Sequence, residues 1–229
     1  MDDIARSSLP RPQMILIDVD GTLVDSVPDL AWCVDEMMKS IDMPERGESA
    51  VREWVGNGVE KLVRRALSNS LEDEPDEDLF KKAYPVFLEL YKDNTCKRST
   101  LYPGVIEALD YFANQGYKLG CVTNKAEQFT RPLLDQLGLL SRFEVLICGD
   151  TLERKKPDPL PLLHAAEHFS VAPEKSLMIG DSISDVKAAR AAGFHIVCMS
   201  YGYNHGVDIR DAKPDAVIDR MDDISKLLT

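Results

Sequence analysis

Apolar residues run along this chain in two rhythms. Between residues 28 and 91 they recur at helical spacing, first as Leu30, Val34, Met37, Met38 and Ile41. The stripe returns as Val59, Leu62, Val63, Ala66 and Leu67, and again as Phe80, Tyr84, Phe87, Leu88 and Tyr91, each set marking one face of an amphipathic helix. Elsewhere the apolar residues form short unbroken runs of the kind a buried strand carries: MILIDV at 14–19, KLGCVT at 118–123, EVLIC at 144–148, SLMIGD at 176–181 and HIVCMS at 195–200. Helical stretches separate these runs, one from about Val105 to a stop at Gly116, one reaching Gly138, one opening near Pro159 and one from Ser184 to Gly193. Strands alternating with helices predict right-handed βαβ units, hence an α/β fold with a doubly wound parallel sheet covered by helices on both faces. The all-helical stretch interrupts that alternation after the first strand. The expected division is therefore a core of residues 1–23 and 101–229 and an inserted helical domain of residues 24–100.

Length agrees with an insertion, since 229 residues exceed the ~150 of an average domain by about half. Charge narrows the partners. Lys plus Arg total 27 against 39 Asp plus Glu, a net charge of -12, and a surface that tracks nucleic-acid phosphates or an anionic membrane needs the opposite balance. Neither nucleic acid nor membrane is expected as a partner. The acidic run Glu72 to Asp78 reads as a solvated loop and helix start. The five cysteines lack C-x-x-C spacing, and three lie inside strand-like runs, so they read as buried free thiols. The opening MDDIARSSLPRPQ has acidic residues where a secretory signal needs basic ones, and no stretch approaches the ~20 apolar residues of a membrane span; a cytoplasmic protein is expected.

Open α/β sheets bind ligands at the carboxyl ends of their strands. Those ends read Asp18-Val19-Asp20-Gly21-Thr22, then Thr123-Asn124-Lys125, Gly149-Asp150 and Gly180-Asp181-Ser182, with Asp185 one turn further on. Asp18, Asp20, Asp181 and Asp185 would converge on one crevice, where like charges repel unless protonated or offset by a cation. An oxygen-only donor set without His or Cys favours a hard ion such as Mg²⁺. The chemistry that fits is phosphoryl transfer: one carboxylate as nucleophile, and a second two residues along to give and take the proton.

These residues resemble the haloacid dehalogenase-like phosphatase superfamily over almost the whole chain, through LIDVDGTLVDS at 16–26, CVTNK at 121–125, the Lys of KKPDPLP at 155–161, and IGDSISD at 179–185. The resemblance implies that Asp18 is the nucleophile, Asp20 the general acid/base and Lys156 the positive charge, with Thr123 and Asn124 on the phosphoryl oxygens. It also implies Mg²⁺ held by Asp18, the main-chain carbonyl of Asp20 and Asp181, with Asp185 adjusting the shell, and a cap that closes over the substrate. Asp20 speaks against phosphonate-cleaving relatives, and Asp20 with Asp181 against dehalogenases. The segments VPDLAWCVD, WVGNGVEKLVRRAL, LYPGV, YGYNHG and PDAVID are similar to the phosphoglycolate phosphatase family, which implies a small anionic phosphate ester, 2-phosphoglycolate, as substrate. The alternatives are a phosphatase or mutase for another small metabolite such as a sugar phosphate, and a non-catalytic phospho-switch resembling a receiver domain. Receivers carry their acceptor Asp on a later strand and lack a helical insertion. Nothing in the sequence sets the oligomeric state.

Other features have plainer readings. Gly56-Asn57-Gly58 reads either as a turn that starts a helix or as a loop whose amides meet the carboxylate of a small acid. Arg64 and Arg65 read as a solvated helix face or, alternatively, as partners of that carboxylate, His164 and His168 as a surface pair, and Asp150 as a support for Lys156 or a loop cap. His205 reads as a loop residue near the strand ends, and Lys155 as the neighbour of Lys156 that could serve in its place, the Lys-Pro pairing favouring Lys156.

Overall fold

The computed structural model describes residues 9–228, so most of the N-terminal stretch read above for targeting signals lies outside the described residues. Strand β1 (Met14–Ile17) is wholly buried and sits inside a six-stranded parallel sheet with β4 (Lys118–Val122), β5 (Val145–Ile147), β6 (Ser176–Gly180), β7 (His195–Met199) and β8 (Ala216–Ile218). The order is β5-β4-β1-β6-β7-β8. Alternate side chains of β1 serve opposite faces, as the two-residue strand period requires. Ile15 and Ile17 pack with Leu109 and Phe112 of α5 (Val105–Asn114) and Leu133 of α6 (Glu127–Gln136), whereas Met14 and Leu16 pack with Leu162 of α7 (Leu160–Phe169) and Ala189 of α8 (Ile183–Ala192). That two-sided burial is why these strands are apolar throughout.

Register positions the site. Ile17 lies opposite Cys121 of β4 and Ile179 of β6, so the three central strands end almost level and their next residues share one edge. From that edge the chain passes through β2 (Val24–Asp25), which pairs antiparallel with β3 (Thr100–Leu101). Between β2 and β3 lie α1 (Val27–Ser40), α2 (Gly47–Trp54), α3 (Val59–Ser68) and α4 (Glu77–Asp93), whose buried faces meet around Val34, Met37, Met38, Val63, Ala66 and Phe87. The buried Asp29 of α1 accepts the N–H groups of Arg98 and Ser99 and the Ser99 hydroxyl, which ties the outgoing and returning segments together.

Several particulars differ from the sequence reading. The sheet gains β8, inside PDAVID, whose three residues are too few to show a period. Helix α2 carries no long stripe and buries only Val51 and Trp54. Arg65 is not on a solvated face: it is buried and donates to the carbonyls of Trp54 and Leu71. Arg64 stacks its guanidinium over Phe80, 3.8 Å from the ring centre, and pairs with Glu60, Glu74 and Glu77. His164 and His168 are exposed, and Asp76 caps α4 by accepting from Leu79 N–H at 2.9 Å. All five cysteines are free, four of them buried and Cys96 half-buried. No helix among the described residues is long and apolar enough to cross a membrane.

Candidate active site

Asp18 follows β1 directly, and its N–H donates to the Ile179 carbonyl, so the sheet ladder itself aims this residue at the strand ends. Its Oδ1 accepts from Val19 N–H at 2.7 Å and lies 3.1 Å from Lys156 Nζ. No hydrogen bond from the described residues falls on Oδ2. Lys156 is buried, and its ammonium reaches Asp18, Asp185 at 2.7 Å and the Val122 carbonyl at 2.7 Å. Burial works against that charge, yet Asp18 and Asp185 together hold the lysine above its usual range. Asp185 accepts at its other oxygen from the N–H and hydroxyl of Ser182, closing a capping box at the start of α8.

Asp181 is gripped from two sides. Thr22 donates its hydroxyl to Oδ1 at 2.7 Å and Tyr203 its N–H to Oδ2 at 2.6 Å. Gly202 makes room for it: a Cβ there would stand 2.0 Å from the Asp181 Cβ. Burial, then the charges of Asp185 and Asp18, push the Asp181 carboxyl well above its ordinary value. Burial likewise lifts Asp18 to about 6 against the pull of Lys156.

Oxygens of Asp18, Asp181 and Asp185 all lie within 4.8 Å of one another. Asp20 stands apart from that cluster, with its Oδ1 accepting from the Ser26 hydroxyl at 2.6 Å and both oxygens near Lys125 Nζ, at 3.1 and 3.2 Å. Fully ionised, the four carboxylates would exceed the two ammonium groups by two negative charges in a mostly buried site. A divalent cation fits that excess, and the all-oxygen donor set suits a hard one.

Above the strand ends lies a cleft enclosing about 420 Å³, solvent at its mouth included. Asp18, Asp20, Thr123, Asn124 and Lys125 line it from the sheet side, while Leu30, Val55, Gly56, Gly58, Val59 and Leu62 line it from the helical insertion. Asn124 bridges the two sides, donating its side-chain N–H groups to the Gly56 and Lys156 carbonyls at 3.3 and 3.0 Å. Its Oδ1 is buried without a partner. Lys155 also bridges, donating to the Asn57 carbonyl, and the Nδ1 of His205 lies 2.6 Å from the Glu53 carbonyl oxygen. Asp150 accepts from Glu127 N–H at the start of α6, which makes it a helix cap and not a partner of Lys156.

The sequence reading passed over Lys125, Tyr91 and Tyr203. Lys125 is buried although it lies between Asn124 and a helix start, where a lysine is ordinarily solvated. Its place two residues beyond Thr123, on the same strand-end loop, is the one signal that could have marked it. Tyr91 reads as one more aromatic on a helical stripe, and Tyr203 comes from a loop after β7; neither position betrays what it touches.

A parallel sheet with Asp-x-Asp at the end of its central strand, a lysine against the first Asp and a helical insertion after that strand defines a class of hydrolase. Residues 15–199 match the model of the haloacid dehalogenase-like hydrolases, and the chain belongs to this family. It is 66% identical over 221 residues to a phosphoglycolate phosphatase of Nitrosococcus oceani, covering 96% of this chain and 98% of that one. To a phosphoglycolate phosphatase of Nitrosospira multiformis it is 44% identical over 220 residues, covering 96% and 97% of the two chains. The crystal structure of a predicted phosphoglycolate phosphatase from Haemophilus somnus superposes with a TM-score of 0.88 at 36% identity, covering 97% of this chain and 98% of that one.

Proposed function

We propose that this chain is a Mg²⁺-dependent phosphomonoesterase that hydrolyses 2-phosphoglycolate to glycolate and phosphate through an aspartyl-phosphate on Asp18. The observation that carries the reaction is the pair Asp18 and Asp20, both lining one cleft, each with its own lysine. The activity named for the relatives supports the substrate.

In the first displacement an Asp18 carboxylate oxygen, Oδ2 by the bonding pattern, attacks phosphorus. The bond from phosphorus to the ester oxygen breaks, and that oxygen takes a proton from Asp20 and leaves as the glycolate hydroxyl. In the second, a water oxygen attacks phosphorus, Asp20 takes the water's proton, and the Asp18 carboxylate is regenerated as phosphate departs. Thr123 and the main chain at Asn124 face the phosphoryl oxygens, since the Asn124 side-chain N–H groups are engaged with Gly56 and Lys156. Lys156 counters negative charge beside Asp18 throughout. Asp18, Asp181 and the main-chain carbonyl of Asp20 would hold Mg²⁺, which neutralises phosphoryl charge when bound. In this reading Asp185 adjusts that shell by anchoring Lys156.

The four helices act as a cap that excludes water from the cleft. Gly56, Asn57 and Gly58 precede α3, whose N-cap Gly58 offers no side chain to its first N–H groups, and those groups suit the substrate carboxylate. Arg64 and Arg65 are engaged elsewhere.

A panel of phosphate esters with Mg²⁺ tests the reading. 2-Phosphoglycolate is expected among the best substrates by kcat/KM, with Asp18→Asn inactive but folded. A clear preference for a sugar phosphate would replace the substrate, and a stable phospho-form without turnover would favour the switch.

A further inference from the structure

Asp20, the residue assigned as acid/base, is held by Lys125 of the loop after β4, and that lysine is held in turn by a side chain of the inserted helices. Lys125 Nζ donates to both oxygens of Asp20, at 3.1 and 3.2 Å, and to the hydroxyl of Tyr91 near the end of α4. Tyr91 is completely buried and fixed by aromatic neighbours, Phe87 on its own helix with ring centres 5.6 Å apart and Phe129 of α6 at 4.8 Å. Lys125 also lies 4.7 Å from the centre of the Tyr91 ring. Its ammonium therefore has both an anchor in the inserted helices and a carboxylate partner in the site.

Among the described residues Lys125 is the one basic side chain lining the cleft, and the described polar contacts of its ammonium are to Asp20 and Tyr91. A long flexible lysine loses rotamer freedom when confined, and a buried ammonium without partners is costly. Tyr91 and the Asp20 carboxylate share the ammonium and fix it between them. The Ser26 hydroxyl also donates to Asp20 Oδ1, 2.6 Å away. What is set by these contacts is where the Asp20 carboxyl stands relative to the ester oxygen that must receive its proton.

We propose that Lys125, held by Tyr91, is a positioning residue for Asp20, so that the inserted helices contribute to proton transfer through Tyr91 and not only to enclosing the substrate. The proposal rests on Asp20 serving as the acid. In the step concerned, the bond from Asp18 to phosphorus forms, the bond from phosphorus to the ester oxygen breaks, and the Asp20 proton passes to that oxygen. An ester whose leaving group departs as a stable anion needs no such proton. Misplacing Asp20 therefore penalises an alkyl phosphate far more than an activated aryl phosphate, whereas general damage to the fold or to phosphate binding lowers both alike.

The test compares kcat/KM for 2-phosphoglycolate and for para-nitrophenyl phosphate, with saturating Mg²⁺, in wild type, Tyr91→Phe, Lys125→Met and Asp20→Asn. This ratio reports the steps through leaving-group release, so the later hydrolysis of the aspartyl-phosphate does not enter. General acid catalysis contributes roughly 10²–10⁴-fold, so Asp20→Asn should lose about that much on the alkyl ester and far less on the aryl ester. Lys125→Met should reproduce the split, and Tyr91→Phe, which removes a single oxygen, should show about 10-fold on the alkyl ester, a small fraction of that acid-catalytic range. The alkyl-ester loss should fall mainly on kcat. A split in Asp20→Asn that is missing from both Lys125→Met and Tyr91→Phe would overturn the positioning role while leaving Asp20 as the acid. Equal losses on the two esters in Asp20→Asn would overturn the acid assignment and the proposal with it. Thermal melting of each variant identifies any that fails to fold, and Tyr91→Phe, the mildest change, then decides alone.

Discussion

Lys156 and Asp185 meet at 2.7 Å beneath the strand ends, with side chains 1% and 0% exposed. Asp185 thus anchors a lysine, and through Ser182 it also starts a helix. Removing one partner of a buried ion pair costs about 3–5 kcal/mol, because the other charge is left uncompensated. Asp185→Ala should lose stability on that scale, moderated by the contact Lys156 keeps with Asp18. Asp185→Asn, which preserves shape, should lose less. Urea unfolding of the two variants beside wild type measures the difference, and a loss under about 1 kcal/mol in Asp185→Ala would place the pair with the inconsequential surface bridges.

The buried carboxyls give the metal-stripped protein a pH dependence of definite sign. Asp18 rises from 3.8 to about 6 on folding, chiefly through burial. Between those values the folded state keeps a proton that the unfolded chain has released, so the Asp18 contribution to stability falls as pH rises through this window. Asp181, also raised by burial, adds to the decline with the same sign. Unfolding in the presence of chelator from pH 4 to 8 should show the loss, and added Mg²⁺ should reverse it most at the high end. Calorimetric titration in buffers of different ionisation heat should register protons released on metal binding near pH 6.

Gly202→Ala tests how tightly Asp181 is confined. The added Cβ would come within 2.0 Å of Asp181 Cβ and 2.4 Å of its Oδ2, so one of the two must move. Overpacking of this kind costs about 1–3 kcal/mol. The Mg²⁺ concentration for half-maximal activity should rise at least several-fold. An unchanged metal requirement would remove Asp181 from the ligand set.

Thiol reactivity offers a check that is independent of catalysis. Burial pushes Cys33 up to about 12 and Cys148 to about 11, and Cys121 and Cys198 also rise. Since the thiolate is the reactive form, alkylation of native protein at pH 8 should stop at the half-buried Cys96, while unfolded protein reacts at all five. Mass spectrometry counts the adducts.

How legible each feature was in the sequence follows from how local its cause is. Strand β1 and the stripe through Leu30, Val34, Met37 and Met38 announce themselves because burial imposes a period on neighbouring residues. Asp18 and Asp181 were visible as polar residues that stop apolar runs. The β2 and β3 pair was not, since two residues on each side carry no period. Lys125 was missed because its partners, Asp20 and Tyr91, lie 105 and 34 residues away, and charge pairing leaves no mark on the local pattern. Arg65 misled for the converse reason: an arginine on an amphipathic helix defaults to solvent, and only the fold puts the Trp54 and Leu71 carbonyls where it can reach them.

The segment from Tyr201 to His205 joins the carboxylate cluster to the inserted helices. Tyr201 donates to the Thr22 carbonyl, and Tyr203 holds Asp181 with its N–H while its hydroxyl donates to Asp25 of β2. Asp25 pairs with Arg52, whose guanidinium lies 5.4 Å from the centre of the Tyr203 ring, and His205 meets the carbonyl of Glu53. For anyone recombining relatives, the transplantable unit is consequently not the inserted helices alone. A chimaera that exchanged residues 24–100 and kept a foreign 201–206 would strand Arg52 and Asp25 and loosen Asp181 in one move, whereas moving the two stretches together preserves the joint.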